Sequence, residues 1–226
     1  LLATLEKHGK LADTLVIFLA DNGACAEDIP EDVTIDELVD KLMIARRTTR
    51  SGEPVHFGND TGRMPGPENT YQSYGTAWAN LSNSPFRLYK HWIHEGGIAT
   101  PLIAHWPNGI AKVDNGGVRH APGYLPDIMA TIVDVTGETY PASFEGHRVE
   151  PLEGQSLLSV FGKDTAGDER RPMFWEHEGN AAVRIGKWKL VKRYPRAWEL
   201  YDMDADRTEL AVDPGLGQRL AKRPDG

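Results

Sequence analysis

The hydrophobic pattern has one dominant feature near the start of the chain, the apolar run in TLVIFLADNG at 14–23. Successive apolar residues with no polar residue between them predict a β-strand buried on both faces, because a half-exposed strand would alternate. The run ends abruptly in Asp21, Asn22 and Gly23. Ligands of open α/β sheets bind beyond the carboxyl ends of such strands, so chemistry is expected at these side chains.

The remaining periodicity predicts helices and strands in alternation. Helices are expected at 1–8, from a capping-box sequence at Thr34 to about Arg46, and between Pro126 and Gly137, with a second apolar strand at 101–106. Residues 51–81 show little periodicity and predict a long packed loop, and Pro85 predicts the start of a short helix. Strand, crossover, strand and helix are the pieces of an α/β sandwich.

The pattern changes after a polar, charged stretch at 162–171, which predicts a linker. Beyond it, aromatic and β-branched runs alternate with short turns, as in AAVRIGKWKLVKR, and predict a small antiparallel β-sheet. We therefore expect an incomplete α/β sandwich over 1–161 and a small antiparallel subdomain over 172–226.

Composition narrows the possible functions. The 226 residues carry a net charge of −8, which argues against a nucleic-acid-binding surface, because such surfaces are usually basic. The apolar runs are far shorter than the roughly 20 residues needed to cross a bilayer. Cys25 is the single cysteine, so no disulfide forms within the chain. The opening LLATLEKHG has no initiator Met and no signal-like segment, which predicts a chain cut from a longer one.

Two sets of polar residues are candidates for chemistry. Asp21 and Asn22 offer oxygen ligands to a hard cation such as Ca²⁺ or Mg²⁺, and the alternative is a turn in which they cap their own backbone. Lys90 precedes the sequence Glu95-Gly-Gly and a strand, where its ammonium could reach a bound oxyanion. The alternative there is a solvated surface lysine.

Other motifs carry less weight. The DMDAD sequence at 202–206 resembles the first half of an EF-hand, but Arg207 occupies the position of its glycine, so a simple turn is expected. His91 and His94 do not form the H-E-x-x-H pattern of a zinc peptidase. His177 and Asn180 could reach a pocket from the small sheet. The chain has no phosphate-binding loop, dinucleotide fingerprint or G-x-S-x-G sequence.

Several of these segments follow one another in an order typical of one family. They are DNG after a strand, K-x-x-x-x-E-G-G-I-x-x-P from Lys90 to Pro101, the LPDIMATIVDVTG helix, and the late GKWKLV and WELYDM strands. Together they resemble the C-terminal half of a type I, formylglycine-dependent sulfatase of the arylsulfatase family, in the alkaline-phosphatase-like superfamily. The resemblance extends from Leu1 to about Leu210.

The resemblance implies a sulfate ester hydrolase. It implies that oxygens of Asp21 and Asn22 bind Ca²⁺ or Mg²⁺, and that Lys90 contacts the sulfate as a catalytic and substrate-binding residue. His94 would help to shape the substrate pocket, with a packing role as the alternative. The nucleophile of the family is a formylglycine made from a Cys or Ser, and the substrate would be a sulfated small molecule or glycan.

One departure from the family pattern is important. The nucleophile motif C/S-x-P-x-R occurs nowhere in the chain, so we expect a sulfatase fragment that is inactive alone. Family members are often exported, which implies a periplasmic or secreted protein. Two alternatives remain open: a phosphoester or phosphonate hydrolase of the same superfamily, and a non-catalytic binding or structural module.

Overall fold

The computed structural model describes residues 1–29, 33–41, 46–111, 116–162, 171–213 and 215. The chain forms two compact units, each built from several segments. Unit 1 comprises Leu1–Asp21, Thr100–Trp175 and Ala182–Leu190, and unit 2 comprises Asn22–Ala99, Glu176–Ala181 and Val191–Gly226.

Unit 1 contains the strand expected near the start of the chain. Helix α1 (Leu2–Lys7) precedes strand β1 (Val16–Leu19), which pairs in antiparallel fashion with strand β4 (Leu102–His105). The prediction of a strand buried on both faces is wrong here. Phe18 is 70% exposed and its pairing partner Ile103 is 60% exposed. Among the described residues β4 is the only strand that pairs with β1, so an apolar run alone did not ensure cover on both faces.

Helix α4 (Asp127–Thr136) has the expected boundaries. Pro126 precedes it, and Gly137 ends it in a left-handed conformation (φ 68°), with its N–H donating to the carbonyl of Val133 at 3.0 Å. The buried Asp127 side chain accepts hydrogen bonds from the backbone N–H groups of Tyr124 and Gln155, both at 2.8 Å, and pairs with Arg171. These bonds fix the start of the helix against the loops around it.

Two smaller elements complete the middle of unit 1. Strands β5 (Ser143–Phe144) and β6 (His147–Arg148) form a short antiparallel hairpin, and helix α5 (Leu158–Gly162) follows. The hydroxyl oxygen of Thr131 on α4 accepts a hydrogen bond from the backbone of Leu157 at 2.9 Å. The start of α5 is thereby connected to α4 by a buried polar contact.

Part of the segment 51–81, which was expected to be a long loop, forms regular structure in unit 2. Strands β2 (His56–Phe57) and β3 (Thr70–Tyr71) pair in parallel, and residues Gly75–Asn83 form helix α2. The prediction of a long packed loop over 51–81 is therefore wrong for its second half. Helix α2 begins with a glycine and carries several Asn and Ser residues of low helix propensity, so its local signal was weak. Pro85 opens no helix, and the next one is α3 (Glu95–Ile98).

The capping box at Thr34–Glu37 is confirmed. Thr34 and Glu37 exchange hydrogen bonds of 3.2 Å between backbone and side chain, and a helical turn continues as a π-helix over Glu37–Lys41. The expected end of this helix near Arg46 cannot be assigned, because residues 42–45 lie outside the described part of the chain.

The small antiparallel sheet is also confirmed. Its strands are β7 (Pro172–His177), β8 (Asn180–Ile185), β9 (Trp188–Lys192) and β10 (Trp198–Asp202), in the order β10-β9-β8-β7. Gly186, with φ 56°, occupies the tight turn between β8 and β9. Val191 and Tyr201 are completely buried in unit 2. Among the residues that the structure describes, every helix is too short or too polar to traverse a lipid bilayer.

Candidate active site

The loop after β1 carries the two candidate metal ligands. Asp21 is exposed and Asn22 is partly buried. The amide nitrogen of Asn22 donates to the carbonyl oxygen of Gly23 at 2.9 Å. That bond uses the nitrogen, and the oxygen is the atom that a hard cation would bind.

Gly23 fixes this loop against the Glu95-Gly-Gly segment within unit 2. Its N–H donates to the carbonyl oxygen of Gly97 at 2.8 Å. A β-carbon on Gly23 would lie 1.9 Å from the carbonyl oxygen of Gly96, far inside van der Waals contact. The two main chains therefore approach so closely that a glycine is required at position 23.

Lys90 lies beside the same loop. Its backbone N–H donates to the carbonyl oxygen of Ala24 at 3.0 Å. Ala24 is only two positions after Asn22 in the chain, so the main chain of Lys90 lies next to this loop. Asn83 strengthens the connection, since its side-chain oxygen accepts from the N–H of Ala24 at 2.9 Å and its nitrogen donates to Leu88 at 3.0 Å. The sequence analysis missed Asn83, because a contact across 59 residues leaves no local pattern.

His94 is fully buried, with a side-chain exposure of 0%. Its Nε2 lies 3.1 Å from Oε2 of Glu199, and the Tyr201 hydroxyl donates to the same carboxylate oxygen at 2.7 Å. Arg87 donates to the Tyr201 oxygen at 3.1 Å. This position favours the packing alternative for His94, and the pocket-shaping role stays a prediction.

The groups around Glu199 stabilise its ionised form. Burial by itself would raise the pKa of Glu199, but hydrogen bonds from Tyr201 and His94 and the nearby charge of Arg87 outweigh it, so that the pKa of Glu199 is lowered. Burial, followed by the bond to Glu199, raises the pKa of the Tyr201 phenol. The carboxylate is therefore held ionised and the phenol protonated.

Glu209 supports the start of α3. Its Oε2 accepts from the backbone N–H of Glu95 at 2.6 Å, while its main-chain oxygen accepts from Arg87 at 2.9 Å. The Glu95 carboxylate lies 3.6 Å from the guanidinium of Arg207. Glu199 and Glu209 were not identified from the sequence, because ordinary charged residues near the end of a chain carry no pattern that indicates burial.

The DMDAD sequence forms a turn, as expected. Asp206 accepts hydrogen bonds from the Thr208 side chain and from the backbone N–H groups of Thr208, Leu210 and Ala211. These bonds lower the pKa of Asp206 to about 2, the Thr208 hydroxyl having the largest effect. The aspartate thus acts as a cap for its own turn.

Two family models match the chain. Residues 1–138 match the sulfatase family, and residues 86–213 match the C-terminal region of N-sulphoglucosamine sulphohydrolase. Similar proteins include an uncharacterised sulfatase of Schizosaccharomyces pombe, 30% identical over 91% of this chain and 35% of that protein. An arylsulfatase of Klebsiella aerogenes is 28% identical over 71% of this chain and 31% of that protein.

N-acetylgalactosamine-6-sulfatase of Mus musculus is 33% identical over 55% of this chain and 22% of that protein. The chain thus spans at most 35% of the length of these three relatives.

Solved structures share the fold. Ps i-CgsB in complex with k-i-k-neocarrahexaose aligns with a TM-score of 0.61 at 19% identity, over 97% of this chain and 36% of that one. BT4656 in complex with its substrate D-glucosamine-2-N,6-O-disulfate aligns with a TM-score of 0.51 at 20% identity, over 98% of this chain and 34% of that one. The expected α/β fold of the alkaline-phosphatase type, followed by a small antiparallel sheet, is confirmed.

Proposed function

Because the chain belongs to the sulfatase family, we propose that it forms part of an enzyme that hydrolyses sulfate esters. The observation that carries this proposal is the pair of backbone hydrogen bonds within unit 2, Gly23 to Gly97 at 2.8 Å and Lys90 to Ala24 at 3.0 Å. They connect the loop that carries Asn22 to the main chain of Lys90. The two motifs that the family combines in one site are therefore adjacent in this part of the fold.

Asp21 and Asn22 are the proposed ligands of a Ca²⁺ or Mg²⁺ ion. A carboxylate and a side-chain amide supply hard oxygen atoms, the donors that both cations prefer. Ca²⁺ takes about six to eight oxygen ligands, so these two residues form part of a larger set. A bound dication would supply positive charge to the oxygens of the sulfate group. The side-chain bond of Asn22 to Gly23 supports the assignment, because it holds the amide in one orientation.

Lys90 is proposed to contact the sulfate. Its ammonium is a compact charge on a flexible stem, suited to an oxyanion whose charge is spread over several oxygens. The backbone N–H of Lys90 is bonded to Ala24, and the buried Glu95-Gly-Gly segment begins five residues further along the chain. Such support limits the motion of the lysine backbone and favours stabilisation of developing charge during transfer.

The nucleophile is proposed to come from outside these 226 residues. A formylglycine needs the C/S-x-P-x-R sequence for its formation, and no such sequence is present. We therefore expect no turnover by this chain alone. The substrate is proposed to be a sulfate ester of a saccharide, as the name of the N-acetylgalactosamine-6-sulfatase relative suggests, with an aryl sulfate as a practical substitute in assays.

The test is a kinetic comparison in the complete product of the encoding gene. With p-nitrophenyl sulfate as substrate, Lys90→Met and Asn22→Ala should each lower kcat/KM by roughly 10²- to 10³-fold, the usual cost of losing one charge-stabilising group. Lys10→Met is the matched control, because Lys10 is exposed, and it should leave kcat/KM unchanged.

Two results would contradict the proposal. The first is a Lys90→Met variant whose kcat/KM stays within about twofold of the wild type, since loss of a transition-state charge costs far more. The second is faster hydrolysis of p-nitrophenyl phosphate than of the sulfate ester, which would favour the phosphoesterase alternative. Turnover by the purified 226-residue chain would separately refute its expected inactivity.

A further inference from the structure

Unit 2 contains a cluster of three side chains of types that can bind a metal ion, and it does not include the proposed ligands Asp21 and Asn22. His91 follows Lys90 in the chain, His177 ends strand β7, and Glu178 begins the turn to β8. Their nearest ligand atoms all lie within 4.8 Å of one another. We propose that these three residues bind a divalent transition-metal ion, with Zn²⁺ as the best match.

The chemistry of the three side chains favours zinc over calcium. Two imidazoles and one carboxylate are a ligand set that holds Zn²⁺ in tetrahedral sites whose fourth position is open to water or another oxygen ligand. Ca²⁺ prefers oxygen atoms throughout and gains little from imidazole. The proposed site therefore differs in selectivity from the oxygen-only pair Asp21 and Asn22.

The distances are close to those that a tetrahedral ion requires. Nδ1 of His91 lies 3.2 Å from one carboxylate oxygen of Glu178, and Nε2 of His177 lies 3.9 Å from the other. Ligand bonds of about 2.0–2.1 Å imply ligand atoms roughly 3.3 Å apart. The side chains of His91, His177 and Glu178 are 42%, 52% and 65% exposed. Rotation about their χ angles can therefore close the remaining gap.

The backbone beneath the cluster is well fixed on the β7–β8 side. The Asn180 side chain donates to the carbonyl oxygen of His177 at 2.9 Å and accepts from the N–H of Tyr194 at 3.1 Å. The N–H of Gly179 donates to Glu176 at 2.9 Å. The turn that presents two of the three ligands is thus held by bonds that do not involve the ligand atoms.

The third proposed ligand, His91, packs against an aromatic side chain. The imidazole of His91 packs edge-on against Trp92, with ring centroids 4.6 Å apart, and the guanidinium of Arg193 covers the same indole at 4.4 Å. His91 and His177 also meet edge to face at 5.4 Å. Metal sites work best when neighbouring groups hold their ligands in place, and both histidines have such neighbours.

The test uses Co²⁺ as a spectroscopic substitute for Zn²⁺. The purified protein, with any polyhistidine tag removed, should bind one Co²⁺ with the visible absorption bands of four- or five-coordinate cobalt. Zn²⁺ should abolish these bands at one equivalent, and excess Ca²⁺ should leave them intact. His177→Gln and Glu178→Gln should each weaken Co²⁺ binding more than about tenfold, since even the partners of metal ligands are worth 10- to 100-fold.

The matched control is His147→Gln, at an exposed histidine on strand β6 of unit 1. It should leave the cobalt affinity unchanged, and far-UV circular dichroism should show that all variants keep the wild-type fold. The proposal is overturned if the wild-type protein shows no visible cobalt bands. It is overturned equally if His177→Gln and Glu178→Gln bind Co²⁺ as tightly as the wild type, because the ion would then lie elsewhere.

Discussion

Replacement of Gly23 by alanine tests the close contact on which the candidate active site depends. The new β-carbon would lie 1.9 Å from the carbonyl oxygen of Gly96 and 2.9 Å from its carbonyl carbon. Both are main-chain atoms, so no side-chain rotation relieves the clash. Overpacking of this kind costs about 1–3 kcal/mol. The hydrogen bond from Gly23 to Gly97 is worth about 0.5–1.5 kcal/mol more.

The expected loss of stability for Gly23→Ala is therefore about 1.5–4.5 kcal/mol. At about 2–4 °C per kcal/mol for a chain of this size, the melting temperature should fall by roughly 3–18 °C. Thermal unfolding followed by circular dichroism measures the change. The proposed affinity of Asp21 and Asn22 for Ca²⁺ should fall as well, which isothermal titration calorimetry on the complete product of the encoding gene would detect.

Gly162→Ala provides the matched control. A β-carbon there would meet no atom within 4 Å, and the residue ends helix α5. Because alanine is favoured over glycine in helices by about 0.5–1 kcal/mol, this variant should melt at the same temperature as the wild type or slightly higher. If Gly23→Ala and Gly162→Ala melt together, the two main chains are not in the close contact described here.

Three further predictions concern buried or hydrogen-bonded carboxylates. Asp127→Asn leaves the guanidinium of Arg171 without its charged partner and should lower the free energy of unfolding in urea by about 3–5 kcal/mol. The control is Asp36→Asn, which removes the exposed ion pair with Arg47 and should cost less than about 1 kcal/mol. Asp206 should titrate near pH 2 by carboxyl NMR, and Thr208→Ala should raise that pKa towards its ordinary value. Because the pKa of Glu199 is lower in the folded protein than its ordinary value of 4.5, its ionised side chain stabilises the fold above pH 4.5. This contribution is lost as the pH falls towards the pKa of Glu199 in the folded protein. Glu199→Gln should therefore show a weaker decline of unfolding free energy over that acid range, and an unchanged decline would contradict the assignment.

Features with local signals were predictable from the sequence. Pro126 and Gly137 define the limits of α4 because proline suits a helix start and glycine suits the left-handed residue that ends one. The turn at Gly186 and the β-branched runs around it indicated the small sheet. Asp21 and Asn22 were proposed as metal ligands because they end an apolar run, which is also a local feature, and this role stays a prediction.

Features that depend on distant partners were not predictable. The sequence suggested that His94 shapes a pocket, but it could not indicate its hydrogen bond to Glu199, which lies 105 residues further along the chain. Asn83 ends helix α2 and gives no sign of its bonds to Ala24 and Leu88. Likewise, the apolar residues of β1 predicted burial, but exposure of Phe18 is decided by what packs against it and not by the strand itself.

Strand β10 and the turn after it make contacts within unit 2 to the segment around Lys90. Tyr201 accepts a hydrogen bond from Arg87, before Lys90 in the chain. After Lys90, His94 bonds Glu199, and the backbone N–H of Glu95 at the start of α3 donates to Glu209. Loss of a hydrogen-bond partner for a buried polar group costs about 1–3 kcal/mol, so these bonds stabilise the segment. These contacts all lie within residues 86–213, the second of the two matching family regions. We therefore expect substitutions in β10 and its turn to disturb the bonds to Arg87, His94 and Glu95. Because these residues flank Lys90 in the chain, such substitutions should also weaken the proposed contact of Lys90 with sulfate.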